Sequence, residues 1–376
     1  LVQTFARQIL TLGLAPGDAV LVAMPNQVDG VVALVGLMLA GLTPCPVSVV
    51  ASAAQIQKAA EAVSAKAIVT VNRYAQLKPS LNAREAASRF YGIRFVCAFG
   101  PHAPDGIVSL DGWQGSELWQ GPLPGDSPSA TALLTLDTSG EEIVPYARSH
   151  AQLISEGLAL SAISGLTGRG SIIATFAPVS AAGFVSTVAA PLISGTAVAL
   201  HGPFDIAVLE QQLEAQPEAL VVLPAAAETA IRHGLGEKLK DSIVVTRSPG
   251  SIRALSKSGR VTELVSLGEL ALLPLLRDRE RTRQRLPRVY SHPVGTALPL
   301  GIVHLEMSIT ARGRLALQGF GLARKADMRD TKGALANTGI HETRWLAHGD
   351  GLEYLMVMPE DAEDVAENLS LAVAAA

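Results

Sequence analysis

LAPGDAVLVAMPN at 14–26 and GLMLAGLTPCP at 36–46 decide the fold between them. Pro16-Gly17-Asp18 is a turn. Ala19 to Met24 follows as a short apolar run without polar alternation, which is how a strand buried on both faces reads. Val31 to Leu42 is a longer apolar run, preceded by Asp29 and followed by Pro44 and Pro46. A membrane span needs ~20 apolar residues, so this run is too short. It reads instead as a buried helix over Val31–Leu39, closed by Gly41.

Working outward, Thr4 to Leu12 is helical, and Ala54 to Val63 is a helix with Ser52 as its N-cap. Ala67 to Val71 is an apolar, β-rich strand. Short apolar strands alternating with helices argue a parallel α/β sheet covered on both faces. Residues 101–129 are rich in Pro, Gly, Asp and Ser and read as surface loop. A second α/β stretch follows. Its strands are Ala130–Leu136, Ser171–Phe176, Ala197–Leu200 and Ala219–Leu223, and its helices Ala151–Ser161, Ala181–Ile193 and Leu209–Ala215. From about 289 the texture changes. Val303–Ile309 and Arg314–Gln318, set off by glycines, predict a small antiparallel β unit. Ala362 to Ala376 is an Ala-rich helix or a disordered tail, and no internal repeat is visible.

The core implied by this chain is built of small aliphatic side chains, because 48% of residues are hydrophobic but only 4% aromatic. The 30 basic and 34 acidic residues balance to −4, which gives no reason to expect nucleic-acid binding. Cys45 and Cys97 make no disulfide framework and suit a reducing, cytoplasmic setting. The 8 histidines show no metal-ligand spacing, so no metal is expected. No signal peptide is visible, and the absence of an initial Met leaves a missing N-terminal piece as an expectation.

Three stretches taken together resemble the AMP-forming acyl-CoA synthetases, the adenylate-forming ligase superfamily that includes luciferases and peptide-synthetase adenylation domains. The first is 14–46, quoted above. The second runs from Thr175-Phe-Ala-Pro178 through Pro191-Leu-Ile-Ser-Gly-Thr-Ala197 to Pro203-Phe-Asp205 and Leu223-Pro224. The third is Val294-Gly-Thr-Ala-Leu-Pro-Leu-Gly301 with Gly313-Arg-Leu-Ala-Leu-Gln-Gly319. The resemblance implies an α/β fold of two interleaved α/β subdomains with a small distorted β-barrel, as in the family's large N-terminal domain. The division expected is 1–275 for the α/β subdomains, 276–288 for an Arg-rich linker, 289–358 for the β unit and 359–376 for a tail. The family's small C-terminal domain, with its catalytic lysine, falls outside this sequence.

The residues that should handle ATP depart from the family pattern. In the family a Ser/Thr/Gly loop ending in Pro-Lys wraps the phosphates; here it reads Thr138-Ser-Gly-Glu-Glu-Ile-Val-Pro-Tyr-Ala-Arg-Ser-His150. Thr138, Ser139, Gly140 and Pro145 match. Glu141 and Glu142 replace a hydroxyl pair, Ile143 a glycine and Tyr146 the lysine. Each carboxylate beside a triphosphate costs about 4 kcal/mol per unit pair at roughly 4 Å and an effective dielectric of about 20. Arg148 is the nearby cation that could substitute; otherwise the segment is a solvated surface turn.

The family's Tyr-Gly-any-Thr-Glu motif, with its magnesium-binding glutamate, falls on Leu267-Gly268-Glu269-Leu270-Ala271. Gly268 matches, and Glu269 stands two positions early, on the same face if the segment is a strand. It is a magnesium ligand or an ordinary surface carboxylate. The ribose-binding Thr-Gly-Asp becomes Thr338-Gly339-Ile340, and isoleucine accepts no hydrogen bond. Asp350 sits where the family has a hairpin, and the hinge arginine is not found in Leu355-Met-Val-Met-Pro359. The family's acyl pocket lies by Pro178-Val-Ser-Ala-Ala-Gly183, where Ser180, Ala181 and Gly183 either leave room for an apolar ligand or let a helix pack tightly.

Arg277 to Arg288 holds six arginines and two acids, a solvated linker or a face for anionic ligands or an acidic partner. Gly168-Arg-Gly-Ser171 is too short for a phosphate loop. The pattern keeps glycines and prolines that shape the backbone and loses residues that carry chemistry. It points to a degenerate family member, a pseudoenzyme that binds an acyl group or partners an active enzyme, with no ATP, magnesium or CoA as cofactor and no membrane span. The alternative is a working ligase with Arg148 and Glu269 as substitutes and a C-terminal domain supplied by another chain.

Overall fold

The computed structural model describes residues 1–112, 118–124, 131–138, 142–246 and 260–276, and the strands and short segments at 291–294, 305–309, 315–318, 321–325, 342–347 and 353–358. Ser139, Gly140, Glu141, the arginine run from Arg277, the 295–301 part of the third stretch, Thr338, Ile340, Asp350 and the 362–376 tail lie outside the described residues. The chain divides into two compact units, 1–136 with 143–151, and 137–142 with 152–376.

In the first unit α1 (Val2–Leu10), β1 (Ala19–Ala23), α2 (Val28–Leu39), β2 (Thr43–Pro46), α3 (Ala53–Val63), β3 (Ala67–Val71), α4 (Pro79–Arg89), β4 (Phe95–Phe99) and β5 (Val108–Ser109) alternate. The strands form a sheet in the order β2-β1-β3-β4-β5. Each pair is parallel, with Leu21 level with Cys45 and Ile68. All residues of β1, β2 and β3 are buried, which is why they lack alternation. The apolar run at 31–42 is the buried helix expected. α1 lies close against it at Gly36, where a Cβ would come 2.5 Å from Phe5 Cδ1 and 3.2 Å from the Val2 carbonyl oxygen.

Ser52 caps α3 as expected. Its Oγ accepts the Gln55 N–H at 3.3 Å while Gln55 Oε1 accepts the Ser52 N–H at 2.9 Å. On that side Ile56, Ala59 and Ala60 of α3 and Ala83 and Ala86 of α4 pack with Leu21, Cys45 and Ile68, a small-residue core as the composition requires. α4 and β4 are elements the sequence left unassigned, and β5 lies in the 101–129 stretch that was expected to be surface loop. β6 (Thr131–Asp137) follows, hydrogen-bonded to β7 (Val144–Ser149).

The second unit carries α5 (His150–Ser164), β8 (Ser171–Ala174), α6 (Ala181–Phe184), a π-helical turn (Val185–Ala189) and α7 (Ala190–Ser194). β9 (Ala197–Leu200), α8 (Ile206–Ala215), β10 (Leu220–Pro224), α9 (Ala225–Leu235), β11 (Ser242–Thr246), β12 (Val261–Leu267) and β13 (Ala271–Leu276) complete it up to 276. The sheet order is β13-β12-β11-β10-β8-β9, parallel except for β13 against β12. Asp205 caps α8, its Oδ1 accepting the N–H groups of Ala207 and Val208 at 2.8 and 3.3 Å. Leu209 and Leu213 of α8 and Ile231 and Leu235 of α9 pack on Ile173, Val221, Leu223 and Val244.

Beyond 290 the antiparallel unit is present as a five-stranded sheet. Its strands run in the spatial order Ser291–Val294, Leu305–Ile309, Leu315–Gln318, Glu353–Met358, Glu342–Ala347. No helix among the described residues is long and apolar enough to cross a membrane.

Candidate functional site

Thr138 and Glu142, in the stretch that the sequence likened to a phosphate loop, are both exposed. The second half of that stretch is not the solvated turn allowed by the sequence. Val144–Ser149 is β7, and the two-residue period of a strand puts Val144, Tyr146 and Arg148 on one buried face. Tyr146, expected from the sequence at the lysine position, and Arg148 are each 1% exposed. Arg148 Nη1 donates to Thr135 Oγ1 of β6 at 3.4 Å. The helix expected near His150 begins at that residue.

Glu269 is a second correction. Sequence reading offered a strand residue, either a surface carboxylate or a magnesium ligand. The structure places it in the tight turn joining antiparallel β12 and β13, after Gly268, whose φ of +56° suits glycine. Glu269 is 1% exposed. Its Oε2 accepts the backbone N–H of Ala181, the first residue of α6, at 2.8 Å.

The 178–183 loop therefore meets the 268–270 turn inside the second unit. Ser180 caps the same helix start, its Oγ accepting the Gly183 N–H at 3.1 Å. Ala181 and Gly183 are buried, and a Cβ on Gly183 would come 3.1 Å from Pro178 Cα and 3.4 Å from the Phe176 ring. At Gly183 the helix start thus lies tight against Pro178 and Phe176. After α6 the helix widens into a π turn, where Ser186 Oγ bonds the carbonyls of Ala182 and Gly183 and Thr187 Oγ1 that of Gly183. Such turns recur at functional sites because they re-aim side chains without ending a helix.

Two further hydrogen bonds join the start of α5 to this cluster. The Ala323 N–H donates to the Leu270 carbonyl at 2.8 Å, and Gln152 Nε2 of α5 donates to the Leu322 carbonyl at 2.7 Å. The chain of contacts runs Gln152, Leu322–Ala323, Leu270–Glu269, Ala181. Sequence reasoning missed Gln152, Leu322 and Ala323. A polar residue in the first turn of a helix and two apolar residues carry no local signal for such partners.

No group of three or more His, Cys, Asp or Glu that could hold a metal exists among the described residues. The resolved titration shifts lie away from the cluster. Burial pushes the Cys97 thiol up to about 12, and burial with the nearby Asp111 charge raises Asp29.

Residues 1–140 match the sequence model of a family described as AMP-binding enzyme. No curated protein matches the chain by sequence. Among solved structures, Klebsiella oxytoca NpsA in complex with 3-hydroxyanthranilyl-AMSN is similar at a TM-score of 0.62, with 14% identity over 96% of this chain and 71% of that one. A benzoate CoA ligase from Burkholderia xenovorans LB400 gives 0.63, with 14% identity over 94% and 72%. A luciferase-like enzyme from the nonluminescent mealworm Zophobas morio gives 0.65, with 13% identity over 96% and 88%. The fold is that of the N-terminal domain of adenylate-forming enzymes.

Proposed function

We propose that this chain is a degenerate acyl-CoA synthetase-like protein that does not adenylate by the family mechanism. One observation carries the reading. Glu269, the carboxylate nearest to the family's metal-ligand position, is withdrawn from solvent and holds the Ala181 amide instead of facing a phosphate. Tyr146 supports it: the residue at the family's lysine position supplies no cation and is packed inside β7.

The enclosure of Glu269 tells against its serving Mg-ATP as a metal ligand. The rebuilt-ligase alternative relies on Glu269 and Arg148, and the burial of both tells against it. What the fold retains is the loop at 178–183, and we assign it the binding of an acyl group; partnership with an active enzyme is the accompanying role. The Klebsiella oxytoca protein is in complex with 3-hydroxyanthranilyl-AMSN. That neighbour supports the choice of ligand class by fold alone.

Carboxylate-dependent ATP–pyrophosphate exchange tests the reading. No exchange above background is expected with aromatic or aliphatic carboxylates. Exchange that requires the carboxylate and is lost in Arg148→Ala would establish the working ligase instead.

A further inference from the structure

We propose that Glu269 is the positioning residue of the 178–183 loop, holding the helix start at Ala181 so that the loop keeps the shape in which it binds. The proposal rests on the reading that this loop is a ligand site, but its structural half is tested without any ligand.

The argument is one of geometry and satisfaction. A helix start leaves its first N–H groups without intrahelical partners. Here two of them are taken by side chains: Ser180 accepts from Gly183, and Glu269 accepts from Ala181 across 88 residues of sequence. Ser180 is local and moves with the loop. Glu269 is not local: it stands on the turn between β12 and β13, and those strands are anchored in the sheet. The carboxylate therefore fixes the loop to the sheet, whereas Ser180 only shapes it. Inside the protein this hydrogen bond is not exchanged for water. The same turn is tied to Ala323 through Leu270, so the loop is referred to a frame that includes the segment held by Gln152.

The placement of the π turn fits this role. Val185 to Ala189 follow directly on α6, and Ser186 and Thr187 bond back to its carbonyls. An anchored N-terminus upstream of a π turn keeps the first residues of the helix, those of the loop, in place.

Hydrogen exchange read by mass spectrometry on Glu269→Ala, Glu269→Gln and the wild-type protein tests the latch. Glu269→Ala should speed exchange over 181–184 about tenfold, with β8 and β10 unchanged. Glu269→Gln keeps an acceptor oxygen at the same reach and should stay near wild type. Should Glu269→Ala fail to fold, Glu269→Asp replaces it, because the shortened carboxylate keeps its charge but withdraws from the amide. Unchanged exchange at 181–184 in the Ala or Asp variant would overturn the proposal, as would a Gln variant as disturbed as Ala.

Titration of the same proteins with benzoate and with octanoate reads the functional half. Wild type and Glu269→Gln should bind one of them alike, and Glu269→Ala or Glu269→Asp about tenfold more weakly. A wild-type protein that binds neither, with the exchange result intact, would sink the acyl-binding reading and leave the latch standing. Equal binding by all variants would remove the positioning role.

Discussion

The backbone N–H of Ala181 donates to Oε2 of Glu269 at 2.8 Å, joining a helix start to a hairpin turn of the same unit. The two segments were singled out in the sequence for separate reasons, one as the counterpart of an acyl pocket and the other as that of a metal-ligand motif. In the folded chain they meet. A carboxylate that satisfies a helix terminus gains a hydrogen bond worth roughly 1.5–3 kcal/mol.

A lysine at the position of Tyr146 should harm the protein. Tyr146→Lys places an ammonium on the buried face of β7, beside Arg148 two residues on. Burying a charge without a dedicated partner, next to a like charge, is expected to cost about 3 kcal/mol. Urea denaturation would show the midpoint falling without a change in slope. A variant as stable as wild type would mean that the face opens to solvent.

Gly183→Ala tests whether the loop is packed or spacious. Its Cβ would lie 3.1 Å from Pro178 Cα and 3.3 Å from Ser180 Oγ. The helix gains about 1 kcal/mol from the loss of glycine, but overpacking against backbone costs about 1–3 kcal/mol. The net expectation is a loss of about 1 kcal/mol by thermal or urea denaturation. A stabilised variant would show that the loop has room.

Asp241 gives a pH-dependent prediction. Burial alone pushes its carboxyl up. The Arg260 N–H at 2.6 Å from Oδ1 and the Arg169 guanidinium paired with Oδ2 outweigh this, and the net shift is down. A carboxyl lowered on folding contributes stability above its unfolded value of about 3.9, and that stability is lost as pH falls through the folded value. Asp241→Asn should therefore cost about 1 kcal/mol at neutral pH, a figure kept small because the pair is partly exposed. The gap to wild type should close below pH ~4. A gap that persists in acid would assign the loss to packing.

The sequence was most legible where burial and local pattern agree. Ala67–Val71, buried throughout, was read to the residue, because an apolar run bounded by polar residues admits few registers. Ser52 was legible because a capping box is local chemistry. β7 was not, because Tyr146 and Arg148 look solvent-facing until β6 is laid beside them. Nor could Glu269 be read as buried, since its partner is 88 residues away. The shape-bearing residues announce themselves locally, and the site is decided by tertiary contacts.

Calorimetric titration of the protein with Mg-ATP tests the central claim most directly. Each lost charged hydrogen bond is worth roughly 1.5–3 kcal/mol, and three or four such losses total on the order of 6 kcal/mol. Micromolar binding is about 8 kcal/mol and millimolar about 4, so the losses carry a micromolar site beyond the millimolar range. The account predicts no saturable heat at about 1 mM nucleotide. A saturable signal that disappears in Arg148→Ala would contradict it and show a rebuilt ATP site.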